Sequence, residues 1–193
     1  MERTLQILDY AVLVISGADG AQGHVETLWR LLRKYRIPVF LFINKMDQPG
    51  TDKEKLLEEL CRRLDEHCID FSGDCDREAW MENLAMCEER LLEWYLENGE
   101  IGDEEITNLI AGRKVFPCYF GSALKVRGVE ELLQGLETYT RCRAYPKEFG
   151  AKVYKIARGE QNSRLTYLKV TGGSLKVKML LTNRKGQESG EDE

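Results

Sequence analysis

Two unbroken apolar runs of strand length, Tyr10 to Ser16 and Ile37 to Ile43, bracket a segment that carries Val25, Leu28, Trp29, Leu31 and Leu32 on one helical side between Gln22 and Tyr35. Strands that are apolar at consecutive positions, instead of alternately, are those covered on both faces. Two of them joined through a helix make a βαβ unit with a parallel sheet. A third run, Val115 to Phe120, precedes an amphipathic helix starting near Val129. Lys53 to His67 spaces Leu56, Leu57, Leu60, Cys61 and Leu64 as a second amphipathic helix, with Thr51 or Asp52 available as its cap. The fold class is therefore α/β, a parallel sheet with flanking helices.

The chemistry sits where these strands end. Ile37–Ile43 runs directly into Asn44-Lys45-Met46-Asp47. An ionised Asp47 can accept from both the N1–H and the exocyclic amine of guanine, whereas adenine presents neither donor on that edge. A site built on such polar groups rejects an analogue lacking them by roughly four to five powers of ten. The Asn44 amide suits the base edge and neighbouring backbone, and the Lys45 stem can lie over the purine face with its ammonium in water. The competing reading is a turn whose Asn and Asp only satisfy backbone groups.

After the third strand comes Gly121-Ser122-Ala123-Leu124-Lys125, whose backbone can offer an N–H to a base carbonyl; a plain serine turn is the alternative. The phosphate side is different. A phosphate-cradling loop needs Gly-x-x-x-x-Gly-Lys-Ser/Thr, and no Gly-Lys dipeptide occurs in the 193 residues. Gly17-Ala-Asp-Gly20-Ala-Gln-Gly23 is glycine-rich but continues into His24-Val25, which reads as a turn entering a helix. Asp47-Gln-Pro-Gly50 overlaps the base-reading tetrapeptide and is a decoy for a magnesium-sensing motif.

Charge is partitioned along the chain. Residues 51–108 hold 19 acidic and 6 basic side chains, and residues 141–185 hold 2 acidic and 12 basic, against a net charge of −5 for the whole. The acidic block repels nucleic acid. A helical insertion is expected over 69–112, with Trp80, Leu84, Leu91, Leu92, Trp94, Tyr95 and Leu96 as its apolar set and its Trp and Tyr packed at helical spacing. The basic block suits phosphate backbones or another acidic partner if its charges share a face, with Lys152, Lys155, Arg158, Arg164 and Lys169 as candidate RNA contacts; a solvated strand face is the alternative. Phe149 to Ile156, Leu165 to Thr171 and Leu175 to Leu181 alternate as short antiparallel strands do. The acidic end, 186–193, reads as a disordered tail.

Six cysteines without a Cys-x-x-Cys pair and two histidines indicate neither a zinc framework nor a disulfide scaffold, so no metal cluster is expected. His67-Cys68 point about 100° apart on a helix and suggest filler more than a ligand pair. No signal peptide or run of about 20 apolar residues is found, so a cytoplasmic protein without a membrane partner is expected.

Taken together, these segments resemble the middle of a translational GTPase of the elongation factor G class. They look most like the tetracycline ribosomal protection proteins, with peptide chain release factor 3 nearby. Glu2 to Gln22 is similar to the segment after that family's Asp-x-Pro-Gly-His motif. Asn44–Asp47 and Gly121–Ala123 follow in register, and Lys152 to Leu175 resembles the opening strands of its second domain. The resemblance implies that residues 1–142 are the C-terminal half of a P-loop GTPase domain and that 143–185 begin a β-barrel. Asn44, Lys45, Asp47, Ser122, Ala123 and Leu124 would then form the guanine site. It further implies GTP or GDP with magnesium, and a ribosome partner, for an intact parent. This chain, lacking the P-loop, is expected to hold no nucleotide and no catalytic residue of its own. The alternative is an interaction module that keeps the GTPase fold without a nucleotide.

Overall fold

A computed structural model of the chain describes residues 2–73, 76–159, 162–182 and 188–189. The chain falls into two compact units: Leu8–Cys142, and a second made of Met1–Ile7 with Arg143–Glu193. The first seven residues cluster with the later strands and not with the sheet.

Its elements are α1 (Glu2–Leu5), β1 (Ala11–Ser16), α2 (Gly23–Lys34), β2 (Val39–Asn44), α3 (Lys53–Arg63), β3 (Cys68–Asp70), α4 (Arg77–Ala85), α5 (Glu89–Asn98), α6 (Asp103–Ala111), β4 (Phe116–Phe120) and α7 (Val129–Tyr139). The chain continues through β5 (Gly150–Arg158), β6 (Arg164–Gly172), β7 (Leu181–Thr182) and β8 (Glu188–Ser189).

In the larger unit β1, β2, β4 and β3 lie in that order, every pair parallel. The central strands β2 and β4 are apolar at consecutive positions because helices cover both their faces. Phe40, Phe42 and Tyr119 pack with Leu84, Ile106 and Ile110 of the α4–α6 side. On the other face Trp29 of α2 meets Phe116 edge-on at 4.7 Å, and the Arg113 guanidinium stacks over both rings while donating to the Ile37 carbonyl. Burial of that guanidinium lowers its pKa. Edge strand β1 buries Leu13 and Ile15 but leaves Val12 and Val14 about half exposed.

Several expectations need correction. The helix from Lys53 stops at Arg63, four residues short of His67, because the N–H groups of Leu64 and Asp65 both turn to the Leu60 carbonyl and a turn at Asp65 feeds β3. His67-Cys68 therefore lie at a strand entry and not on a helix. The segment 69–112 is not wholly helical, since it begins inside β3, a sheet edge of three residues too short to show a period. Of its apolar set, Leu84 and Leu91 are buried, but Trp94 and Leu96 face solvent on α5.

In the smaller unit β5 and β6 form an antiparallel hairpin with a bulge between Val153 and Lys155. Leu175 to Leu181 is not a third strand: Lys178 takes φ 63°, a turn joins Lys176 to Met179, and Val177 is open to solvent. The alternating apolar residues Leu175, Val177 and Met179 are all exposed. Within the expected tail, Glu188–Ser189 pairs with Leu181–Thr182, and the remainder of 186–193 lies outside the described residues. Among the described residues no helix is long and apolar enough to cross a membrane.

Candidate guanine-reading site

Because β2 and β4 are parallel neighbours, with Ile43 beside Phe120, the loops that follow them leave the sheet at the same edge. In open α/β sheets that edge is where ligands bind. The two loops are laced together. The Gly121 N–H donates to the Ile43 carbonyl at 2.9 Å, and the Met46 N–H donates to the Gly121 carbonyl at 2.9 Å. The Asn44 side-chain oxygen accepts from its neighbour Lys45 N–H at 2.8 Å and, across the gap, from Ala123 N–H at 2.9 Å. Gly17, at the end of β1, donates to the Asn44 carbonyl at 2.7 Å and so joins a third strand end to the site.

Lys45 holds a left-handed backbone, φ 65°, which turns the loop sharply off the strand. Thr51 braces that turn by donating its hydroxyl to the carbonyls of Met46 and Gln48, both at 2.9 Å. Asp52 then caps α3 by accepting from the Lys55 N–H. Asp47 faces the second loop, where the Lys125 ammonium lies 3.1 Å from its Oδ2. The Ser122 hydroxyl and this ammonium hold the Asp47 carboxyl below its usual range, so it is an anion at neutral pH.

Ser122 is buried, at 3% exposure, and its backbone exchanges two hydrogen bonds with Arg127, closing the short 3₁₀ turn Ala123–Lys125 into a tight loop. Leu124 projects outward at 91% exposure. The structure thus brings Asn44, Asp47, Ser122 and Ala123 together. Lys45 lies beside them, on a cleft of about 250 Å³ that it shares with Asn44, Ser16, Asp19 and His24. One detail differs from the simplest expectation, since the Ala123 N–H, the donor expected for a base carbonyl, is engaged by Asn44. Lys125 and Thr51 were not anticipated as site residues. Lys125 directly follows the loop motif, but nothing in its spacing indicates a partner 78 positions away.

The glycine-rich segment folds as a turn. Gly20, with φ 67°, donates to the Ser16 carbonyl at 2.9 Å, and the Ala21 N–H donates to the Glu59 carboxylate at 3.3 Å. The residues brought together suit a guanine base, and among the described residues no group of three or more His, Cys, Asp or Glu gathers that could hold a metal ion.

In the smaller unit the five basic candidates divide between the two faces of the hairpin. Register puts Lys152 opposite Lys169, and Lys155 opposite Tyr167, on one face; Arg158 opposite Arg164 lies on the other. Lys152 donates to the Gln6 carbonyl at 3.2 Å and Lys169 to the Ile7 carbonyl at 2.7 Å, which ties the end of the α1 segment to the strands. Lys155 rests over the Tyr167 ring, and Arg158 donates to Asn162.

Comparison with known proteins agrees with this geometry. The family described as the elongation factor Tu GTP binding domain matches residues 1–141. The chain belongs to that family. Among solved structures, a crystal structure of a Thermus thermophilus protein superimposes with a TM-score of 0.76 at 20% identity over 98% of this chain, a likeness of fold. The chain spans 35% of that protein's length.

Proposed function

We propose that this chain is the guanine-recognising portion of a ribosome-associated translational GTPase of the elongation factor G class, with the tetracycline ribosomal protection proteins as the subclass its motifs most resemble. The observation that carries the reading is the lacing of two separate loops, 44–47 and 121–125, into one polar surface through the Asn44–Ala123 and Asp47–Lys125 contacts. A solvated turn would have no need of partners so distant in sequence.

In this reading Asp47 accepts from the guanine N1–H and amine. Asn44 contacts the base edge, and the Lys45 stem covers a purine face. Ser122 holds Asp47 in place, with Ala123 and Leu124 forming the outer wall of the pocket. The Asn44–Ala123 bond exchanges partners when the base carbonyl arrives, at little net change in hydrogen bonds. GTP or GDP with Mg2+ supplies the phosphate chemistry in a longer protein, and hydrolysis there is coupled to events on the ribosome. No residue of this chain is assigned to the bond-breaking step.

The test is base exchange in the longer GTPase that contains this sequence. Asp47→Asn places an amide donor opposite the guanine amine, so preference moves from GTP toward XTP, whose carbonyl there accepts from it. Unchanged relative kcat/KM for the two nucleotides would remove Asp47 from the role of reader.

A further inference from the structure

We propose that Lys125 is a positioning residue for base recognition: its ammonium reaches across from the second loop and fixes the Asp47 carboxylate in the orientation that meets the guanine edge. The inference rests on the base-reading role of Asp47 and adds a residue to it. Three features of the loop carry it.

The backbone of Lys125 is held. Its N–H donates to the Ser122 carbonyl at 3.1 Å, the Ser122–Arg127 pair closes the turn behind it, and Val126 at φ 56° reverses the chain. The ammonium then sits 3.1 Å from Asp47 Oδ2, with Lys125 half exposed and Asp47 about one-fifth exposed. A carboxylate has about four lone-pair directions on its two oxygens. One ammonium at Oδ2 and one hydroxyl from Ser122 leave about two directions free on the carboxylate for the two guanine donors. Asp47 sits on an exposed loop, where a lone side chain would sample several rotamers. Restricting it before the ligand arrives removes part of the ordering cost of binding. An ion pair at this exposure adds little to folding stability, so its consequence is read in recognition.

The lowered pKa of Asp47 is consistent with the same contact, since Ser122 and then Lys125 are its leading causes. Folded, the group loses its proton more readily than in an unfolded chain. The contribution of this contact is therefore present above the ordinary carboxylate range and lost as pH falls through the folded value.

The experiment uses the full chain in three forms, wild type, Lys125→Met and Lys125→Arg, with GMP and AMP as millimolar probes followed by amide shifts of residues 44–48 and 121–125. Carbon-detected titration of the Asp47 carboxyl runs alongside. Lys125→Met should raise the Asp47 pKa toward its ordinary value and weaken GMP by about two- to fivefold, the range of an exposed ion pair. Lys125→Arg should restore both, and unchanged spectra elsewhere establish that all three fold alike. Binding of GMP by Lys125→Met as tight as, or tighter than, wild type would overturn the proposal, the tighter case marking Lys125 as a competitor of the base. A wild-type chain that responds equally to GMP and AMP would overturn the base-reading role itself. A retained GMP preference with no effect of Lys125→Met would strike Lys125 alone.

Discussion

Replacing Gly121 by alanine tests whether the second loop is rigid enough to present Ser122 and Ala123. A Cβ built at Gly121 falls within overlap of the Arg127 carbonyl oxygen, 2.9 Å from its carbonyl carbon and 3.0 Å from the Gly128 Cα. Every one of these atoms is backbone, so rotation of a side chain cannot relieve the clash. Gly128 is itself at φ 73°, and a Cβ there would meet the Phe120 carbonyl and lie 3.0 Å from the Gly121 Cα. The two glycines thus face each other across the closed loop, and accommodating a methyl requires opening the Ser122–Arg127 pair. Overpacking of this kind costs about 1–3 kcal/mol. For a chain of this size that is a fall in Tm of about 2–12 °C. Gly23→Ala is the control, because nothing lies within 4 Å of its Cβ and its φ is ordinary. Thermal unfolding followed by circular dichroism gives the stability, and the Ala123 amide resonance reports the loop. Equal Tm values for Gly121→Ala and Gly23→Ala, with the Ala123 amide unmoved, would refute the rigid-loop argument.

Calorimetric titration of the chain with micromolar GTP should give no heat, since no Gly-Lys phosphate loop occurs in the sequence and the N–H groups of Gly17, Asp19, Gly20 and Ala21 are spent on Asn44, Ser16 and Glu59; micromolar affinity with phosphate release would reveal a phosphate site among those glycines. Charge reversal at Lys155 and Arg164 in the longer GTPase should weaken ribosome co-sedimentation and lower the salt slope by about one unit per lost phosphate contact. Affinity and slope matching wild type would mark the hairpin as a solvated surface.

The parallel sheet was legible because β2 and β4 are apolar at consecutive positions, as burial on both faces requires; β1 carries the same pattern although Val12 and Val14 stay about half exposed. Strand β3 was not: Cys68-Ile69-Asp70 gives one and a half periods of side-chain alternation, too few to separate from a helix end. Its place at the sheet edge is set instead by pairing with β4, a contact between residues about 48 positions apart. Leu175–Leu181 shows the reverse failure. Alternation is a necessary mark of a half-buried strand but not a sufficient one, and turn geometry at Lys176–Met179 prevailed over the pattern. Trp94 was expected to pack from helical spacing alone. Spacing defines a face, but which elements lie against that face is a tertiary fact.

The site divides along the same line. Asn44 and Asp47 announce themselves because a polar tetrapeptide at the end of a buried strand has few structural uses, and the Ser122-Ala123 turn follows the next strand in the same way. What sequence cannot supply is the assignment of donors to acceptors once the loops meet. Asn44 takes the Ala123 N–H, and Lys125 finds Asp47 only because parallel pairing of β2 and β4 sets both loops at one edge. The basic hairpin illustrates the same limit with the opposite result. Five cations in 18 residues suggest a shared surface, but register sends Arg158 and Arg164 to one face and the lysines to the other. Two of those lysines donate to the Gln6 and Ile7 carbonyls, just past the end of α1. A lysine held to a carbonyl has less freedom to follow a phosphate backbone, so Lys155 on one face, and Arg158 with Arg164 on the other, are where an electrostatic contact with RNA has to be sought first.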